Sequence, residues 1–386
     1  MKILLRRILN SAGKYAVEAE VHFEDGRWGR ASSPSAICPG KREIPTTNSE
    51  LIKKRALIEI ISKREIGEQQ EWDEFLFQHK KNLGSDVLLS LSLAFARANA
   101  ARMGKSLVSY IQDEANLDKQ KVVCTPLAAV FSGGVHNINI CDGMQQIMIM
   151  IKANSVLEMI EGILKLYGNI EEDIQNKGLL NGYSSSSGML VDGLTCQEKL
   201  EYLCEMISKQ GLENKAFIAI DVAAEHLKKE RGYLFEGQII ESDRFREILE
   251  NYIKHYPIIF MEDPFDSNDI QQWKKIQQNI QENVKIYGDD LSATQKQYLD
   301  NQIASGEVVK MNQVGTLSKT LETVKCLKKL GMEICVSHRS YETEDTFLCD
   351  LAVAIGAQYI KIGGPRRGDR IAKYNQLYRL YETRRN

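Results

Sequence analysis

Residues 257–310 read PIIFMEDPFDSNDIQQWKKIQQNIQENVKIYGDDLSATQKQYLDNQIASGEVVK. Three short apolar runs, PIIFME, VKIYGD and EVVK, alternate here with the helix-like stretches NDIQQWKKIQQ and ATQKQYLDNQ. Apolar runs of this length suit strands buried on both faces. Each ends on one charged residue: Glu262, Asp289 and Lys310. A charge in that position is costly unless something pairs with it.

The rhythm continues outward. FIAID, ending on Asp221, precedes AAEHLKKE, while LSKTLETVKCLKKLG, EICVS, TEDTFLCDLAVAIG, YIKI and RIAKYNQLYRLYE follow Lys310. Six strand–helix repeats predict a parallel sheet, and their length suits a closed (β/α) barrel. A doubly wound open sheet is the alternative, but no Gly-rich phosphate loop follows any of these strands. In a barrel the C-terminal strand ends build the site, which here gathers Asp221, Glu262, Asp289, Lys310, Ser337–Ser340 and Lys361. The Ser184–Ser187 run before these repeats reads as a mobile loop.

The N-terminal part has another character. YAVEAEVHFEDGRWGRAS alternates around Asp25-Gly26, a hairpin signal. A long loop, SSPSAICPGKREIPTTNS, follows it. Residues 50–80 carry a helical period, and 85–112 form a long Ala-rich helix, a turn and a second helical piece. The predicted fold is α/β: an N-terminal α+β domain over 1–120 and a barrel over 121–386.

Composition excludes several function classes. The 386 residues are 43% hydrophobic and 26% charged with a net charge of -2, which gives no reason to expect nucleic acid or an anionic membrane as partner. No run spans a bilayer, and the basic start MKILLRRILN has too short an apolar stretch for a signal peptide. Eight cysteines without CxxC spacing read as reduced, mostly buried thiols of a cytoplasmic protein.

Three strand-end carboxylates without a neighbouring His or Cys favour a hard cation with oxygen ligands, Mg²⁺ best of all. Pairing of each acid with a barrel Lys or Arg is the competing explanation. Lys310, with cations nearby, would have a lowered pKa and serve as general base, and Lys361 could be that neighbouring cation. His338-Arg339-Ser340 can hold a phosphate or carboxylate. Together these groups suit removal of the α-proton of a metal-bound carboxylic acid.

At these residues the chain resembles the enolase family. VSHRSYETEDTFLCDLAVAIGAQYIKIGGPRRGDRIAKYNQLYRL at 336–380 carries the resemblance most specifically, and IAIDVAAEHL, MEDPFD, GDDLSAT and VKMNQVGTLSKT match in order. SGGVH at 132–136 is similar to the family's NGGxH loop, and LLSLSLAFARANAA to its N-domain helix. The resemblance implies metal ligation by Asp221, Glu262 and Asp289, with Asp290 as a further acid beside the metal. It implies Lys310 as base, with Lys361, Arg339, Ser340 and His338 as substrate contacts, and His136 in the place of the loop histidine. It also implies a small phosphorylated carboxylic acid as substrate, a homodimer or higher assembly of dimers, and the conversion of 2-phosphoglycerate to phosphoenolpyruvate.

The departures cluster on one side of the reaction. Ser186 falls where a GDEGG glutamate belongs, and Gln145 and Gln146 occupy the QEFMI stretch with its second essential acid. Amides do not donate or accept protons as carboxyl groups do. Cys38 stands near the position of a metal-contacting serine, and Tyr341 follows the substrate-binding serine where the family has glycine. Two other outcomes therefore stay open: an enzyme for a different phosphorylated or phosphonate acid, and a non-catalytic member used for binding.

Overall fold

The apolar runs close into a barrel in the computed structural model, which describes residues 1–37, 40–46, 55–64, 66–117, 122–134 and 143–382. Ahead of the barrel lies an antiparallel meander of β1 (Lys2–Leu9), β2 (Tyr15–His22) and β3 (Trp28–Ser32), followed by helices α1 (Arg55–Ser62), α2 (Gln69–Gln78), α3 (Lys80–Arg102) and α4 (Leu107–Ala115). The β2–β3 hairpin turns at Asp25-Gly26 as its alternation predicts. The alanines of α3 let it press on the sheet: a Cβ at Gly29 would stand 2.3 Å from the Ala94 carbonyl oxygen. This layer is tied to the barrel by Arg97, whose guanidinium donates to both carboxylate oxygens of Asp345 at 2.7 and 2.9 Å.

The second part begins with β4 (Thr125–Ser132) and β5 (Gln146–Ile151), then a hairpin of β6 (Leu180–Tyr183) and β7 (Met189–Val191) beside β4. After β8 (Ala216–Asp221) comes a small antiparallel sheet of β9 (Lys228–Lys229), β10 (Gly232–Phe235) and β11 (Gln238–Ile240). The remaining strands are β12 (Ile258–Glu262), β13 (Lys285–Gly288), β14 (Gly306–Val309), β15 (Glu333–Ser337) and β16 (Tyr359–Lys361). The order β16-β15-β14-β13-β12-β8-β5-β4 is closed by pairing of β16 with β4. Leu127, Met148, Ala219, Phe260, Tyr287, Val308 and Cys335 fill the interior, with Phe260 and Tyr287 stacked at 4.1 Å. Residues on the opposite faces of the same strands pack under the helices.

Several expectations are corrected by this architecture. The barrel is not wholly parallel, because β5 runs antiparallel to both β4 and β8. Its Ala-rich and Met-rich strands, β4 and β5, lie before the regular repeats, and only β5 is followed by a helix, Val156–Asn176. ATQKQYLDNQ is not an α-helix: it holds one short 3₁₀ turn at Lys296–Tyr298. Ala293 and Thr294 adopt φ of 51° and 59°, left-handed values that no α-helix tolerates. The stretch AAEHLKKE is helical only over Ala224–Leu227 before entering β9. The serine run is a packed turn between β6 and β7 rather than a mobile loop. Ser184, Ser186 and Ser187 are buried, and the Ser187 hydroxyl donates to the Arg366 carbonyl at 3.0 Å.

Candidate active site

The strand register brings the expected charges together. Gln146 pairs with Asp221 across β5–β8, Asp221 with Glu262 across β8–β12, and Ser337 with Lys361 across β15–β16. Lys361 reaches across the barrel end. Its Nζ donates to Asp221 Oδ2 at 3.0 Å and also to Glu262 Oε2. Lys310, just past β14, donates from Nζ to Asp289 Oδ2. Asp289 also accepts from Gln313 Nε2 at 3.0 Å. Asp221, Asp289, Lys310, Arg339 and Lys361 line one cavity of about 60 Å³, with Gln145, Gln146, His338 and Ser340 also in its wall. Glu262 lies against it through Lys361.

Among the described residues, one group of three carboxylates has ligand oxygens all within 4.8 Å of one another: Asp263, Asp289 and Asp290. Asp263 was missed from sequence, although MEDPFD contains it. Its two oxygens accept the backbone N–H groups of Asp289 and Asp290 at 2.8 and 2.9 Å, so it braces the β13 end that presents those acids. Asp221 and Glu262 are instead drawn to Lys361.

On the anion-binding side, Arg339 makes a two-point pair with Glu43: Nη1 to Oε2 and Nη2 to Oε1, both 2.9 Å. Asn312 Oδ1 accepts a further bond from Nη1 at 3.1 Å. His338 is buried, and its Nδ1 lies 2.8 Å from Nη1 of the buried Arg370. Guanidinium only donates, so Nδ1 is the acceptor and the ring is the neutral Nε2–H tautomer. Burial and the nearby Arg370 charge depress the histidine's pKa well below the ordinary value. Arg370 also donates to the carbonyls of Ser185, Arg339 and Ser340 at 2.9, 3.0 and 2.9 Å. These bonds tie the serine turn to the arginine loop.

Five carboxylates and three cations line the cavity, so negative charge is in excess. One ammonium, Lys361, cannot neutralise both of its partners. Burial and the charge of Asp221 push Glu262 up to about 8, and burial with the charge of Asp289 pushes Asp290 up to about 7. The expected lowering of Lys310 is not found. Burial, Arg339 and Lys361 oppose its charge, but Asp289 and Glu262 outweigh them and raise its pKa above 10.5. These raised acids retain protons that unfolded carboxyls, with ordinary values of 4.5 and 3.8, have lost. The folded form then binds more protons than the unfolded one, and metal-free stability is expected to fall as pH rises from about 5 to 8. Asp289, depressed by Lys310 against burial, acts only below the ordinary carboxyl range and does not offset this. His338, kept neutral in the fold, acts in the opposite direction up to about pH 6.5, but it is one group against the two raised acids. Thermal unfolding in chelator across that range checks it; a midpoint that climbs with pH would contradict the assignment.

Comparison with protein families covers nearly the whole chain: residues 1–111 match the enolase N-terminal domain and 120–384 the enolase C-terminal TIM barrel domain. The chain belongs to the enolase family. The matches support a lyase of the enolase superfamily, with the barrel supplying the site just described.

Against the enolase pattern, the acid side of the pocket is built from neutral groups. Ser186 is fully buried, and its Oγ lies 2.9 Å from Ser184 Oγ and 3.4 Å from Ser132 Oγ. The serine that falls at the glutamate position is thus engaged with other hydroxyls and is no part of the cavity wall. Gln145 donates from Nε2 to Asp221 Oδ2 at 3.1 Å. Gln146 is buried with its Oε1 unbonded. His136 and Cys38 lie outside the described residues. The six described cysteines are free thiols, four of them buried. No helix among the described residues is long and apolar enough to cross a membrane. Glu43 and the cavity-lining His226 were not foreseen. Glu43 sits in a segment without periodicity and His226 in the short helix Ala224–Leu227, and only tertiary proximity brings either to the cavity.

Proposed function

We propose that the protein is a Mg²⁺-dependent enolase-type lyase that removes the α-proton of a phosphorylated carboxylic acid, nominally 2-phosphoglycerate on its way to phosphoenolpyruvate. The observation that carries this reading is the placement of Lys310 in one cavity wall with Asp221, Asp289, Arg339 and Lys361. The donor set fits the metal: it is all oxygen, in excess over the cations, and contains acids whose raised pKa values mark uncompensated charge. Asp221, Glu262 and Asp289 would hold it, with Asp290 beside them. Such a cation, when bound, supplies charge that favours the enolised form of a substrate carboxylate. Lys310 would take the α-proton as the free amine, the form favoured once a bound cation engages Asp289 and Glu262, whose charges raise its pKa. Arg339 and Ser340 hold the anionic end, and Lys361 keeps Asp221 and Glu262 in register.

A second reading is favoured by the turned-away Ser186 and the two amides: the protein enolises its substrate but expels hydroxide poorly. Removing a positioned acid costs about 10²–10⁴-fold. Purified protein, Mg²⁺ and 2-phosphoglycerate in deuterated water distinguish these outcomes. Exchange at the α-carbon with slow or absent phosphoenolpyruvate is the expected result. If neither exchange nor product appears and calorimetry detects no Mg²⁺ binding, the protein is a binding member of the family and the catalytic reading fails.

A further inference from the structure

We propose that Glu43 is a built-in competitor for the guanidinium of Arg339, so that an incoming anion must displace the chain's own carboxylate to bind. The inference rests on the reading above for one point only, that Arg339 is the anion-binding group.

The pair has the form a ligand would take. Both Glu43 oxygens engage both terminal nitrogens of Arg339 at 2.9 Å, the two-point geometry by which guanidinium recognises carboxylate or phosphate. The side chains are only 5% and 6% exposed, so the contact is part of the pocket and not a surface pair. Glu43 reaches it from far along the chain, 296 positions before Arg339, and stands in the cavity wall with Ala36 and Ile37. With Glu43 in place the cavity holds about 60 Å³.

Other contacts hold Glu43 at this position. The Gly40 N–H donates to its Oε1 at 2.9 Å. A Cβ on Gly40 would stand 2.9 Å from Asp290 Oδ1 and 3.3 Å from Glu43 Oε1, so only glycine passes between the two acids without displacing one. Gln313 Nε2 is shared between Glu43 at 3.4 Å and Asp289 at 3.0 Å. Glu43 therefore lies among carboxylates, and Arg339 is the cation that compensates it. That arrangement makes it replaceable. A dianionic group takes over the arginine with more charge than Glu43 brings, and the released carboxylate moves away from Asp289 and Asp290. Glu43 thereby selects for dianionic ends over single carboxylates.

Calorimetric titration with inorganic phosphate tests this on the full chain, with wild type, Glu43→Gln, Glu43→Ala and Arg339→Ala compared, and thermal unfolding run on each. Both Glu43 variants are expected to bind phosphate on the order of tenfold tighter than wild type, equivalent to about 1.4 kcal/mol. Glu43→Gln keeps the side chain's size and so guards against a collapse of the loop in the alanine variant. Unchanged or weaker phosphate binding in a folded Glu43→Gln overturns the competition, even where Arg339→Ala abolishes binding and the anion subsite stands. Phosphate binding that survives Arg339→Ala overturns the subsite itself, and the competition with it.

Discussion

Lys310→Ala is expected to lower α-proton exchange on 2-phosphoglycerate by about 10²–10⁴-fold, the usual contribution of a positioned base. Lys310 Nζ donates to Asp289 in the cavity wall, and no second lysine among the described residues shares that contact. Lys361 does not substitute, because it is held between Asp221 and Glu262 and is 3% exposed. Asp289 keeps its bond from Gln313 in the variant, which limits the structural damage. The measurement is the rate of deuterium incorporation by proton NMR with Mg²⁺ present. Exchange within about tenfold of wild type would remove Lys310 from the role of base.

Lys361→Met is expected to act on stability more than on any single step. The ammonium is buried between two carboxylates that are 4% and 1% exposed. Taking one partner from a buried ion pair leaves uncompensated charge and costs about 3–5 kcal/mol. Burial disfavours the charged ammonium, but Asp221 and Glu262 outweigh that desolvation and raise its pKa. Without it, Glu262 takes up a proton more readily, so the deficit should shrink as pH falls toward 5 and grow toward 8. Urea midpoints at the two ends of that range provide the check. A loss below about 1 kcal/mol at pH 8 would show that the acids are compensated from elsewhere.

The lysine–carboxylate pairing also explains why one sequence-level expectation failed. Lys310 was expected to have a lowered pKa because cations stand near it, and Arg339 and Lys361 do act in that direction. What the linear sequence could not convey is distance: Asp289 contacts Lys310 directly, and a contact outweighs charges farther off. The same limit hid Asp263, whose role depends on its φ of 44° and on two N–H groups brought to it by β13.

Barrel, strand ends and charged residues were legible in the sequence. Buried parallel strands need unbroken apolar runs, and the single charge that ends each run is conspicuous against them. The strands before the regular repeats were not legible, because β5 pairs antiparallel with both neighbours and a β-hairpin interrupts the strand–helix alternation before β8. Neither was the loss of helix in ATQKQYLDNQ, where Thr294 turns left-handed to accept the Lys310 N–H at 2.9 Å and to donate to Gln313 at 2.6 Å. A local propensity was overridden there by bonds to residues on the next strand's end.

By itself the sequence determined the strand–helix order, the family likeness and which residue types stand at the barrel's C-terminal edge. Those properties depend on short-range pattern, which is read along the chain. Only the tertiary structure decided how the charges are shared. Lys361 joins acids 140 and 99 positions away, Ser186 is turned into a hydroxyl cluster, and Glu43 is set into the fork of Arg339. These pairings follow from barrel closure and strand register. A buried charge takes whichever opposite charge the closed fold brings within contact, and that distance is not encoded in any local stretch of sequence.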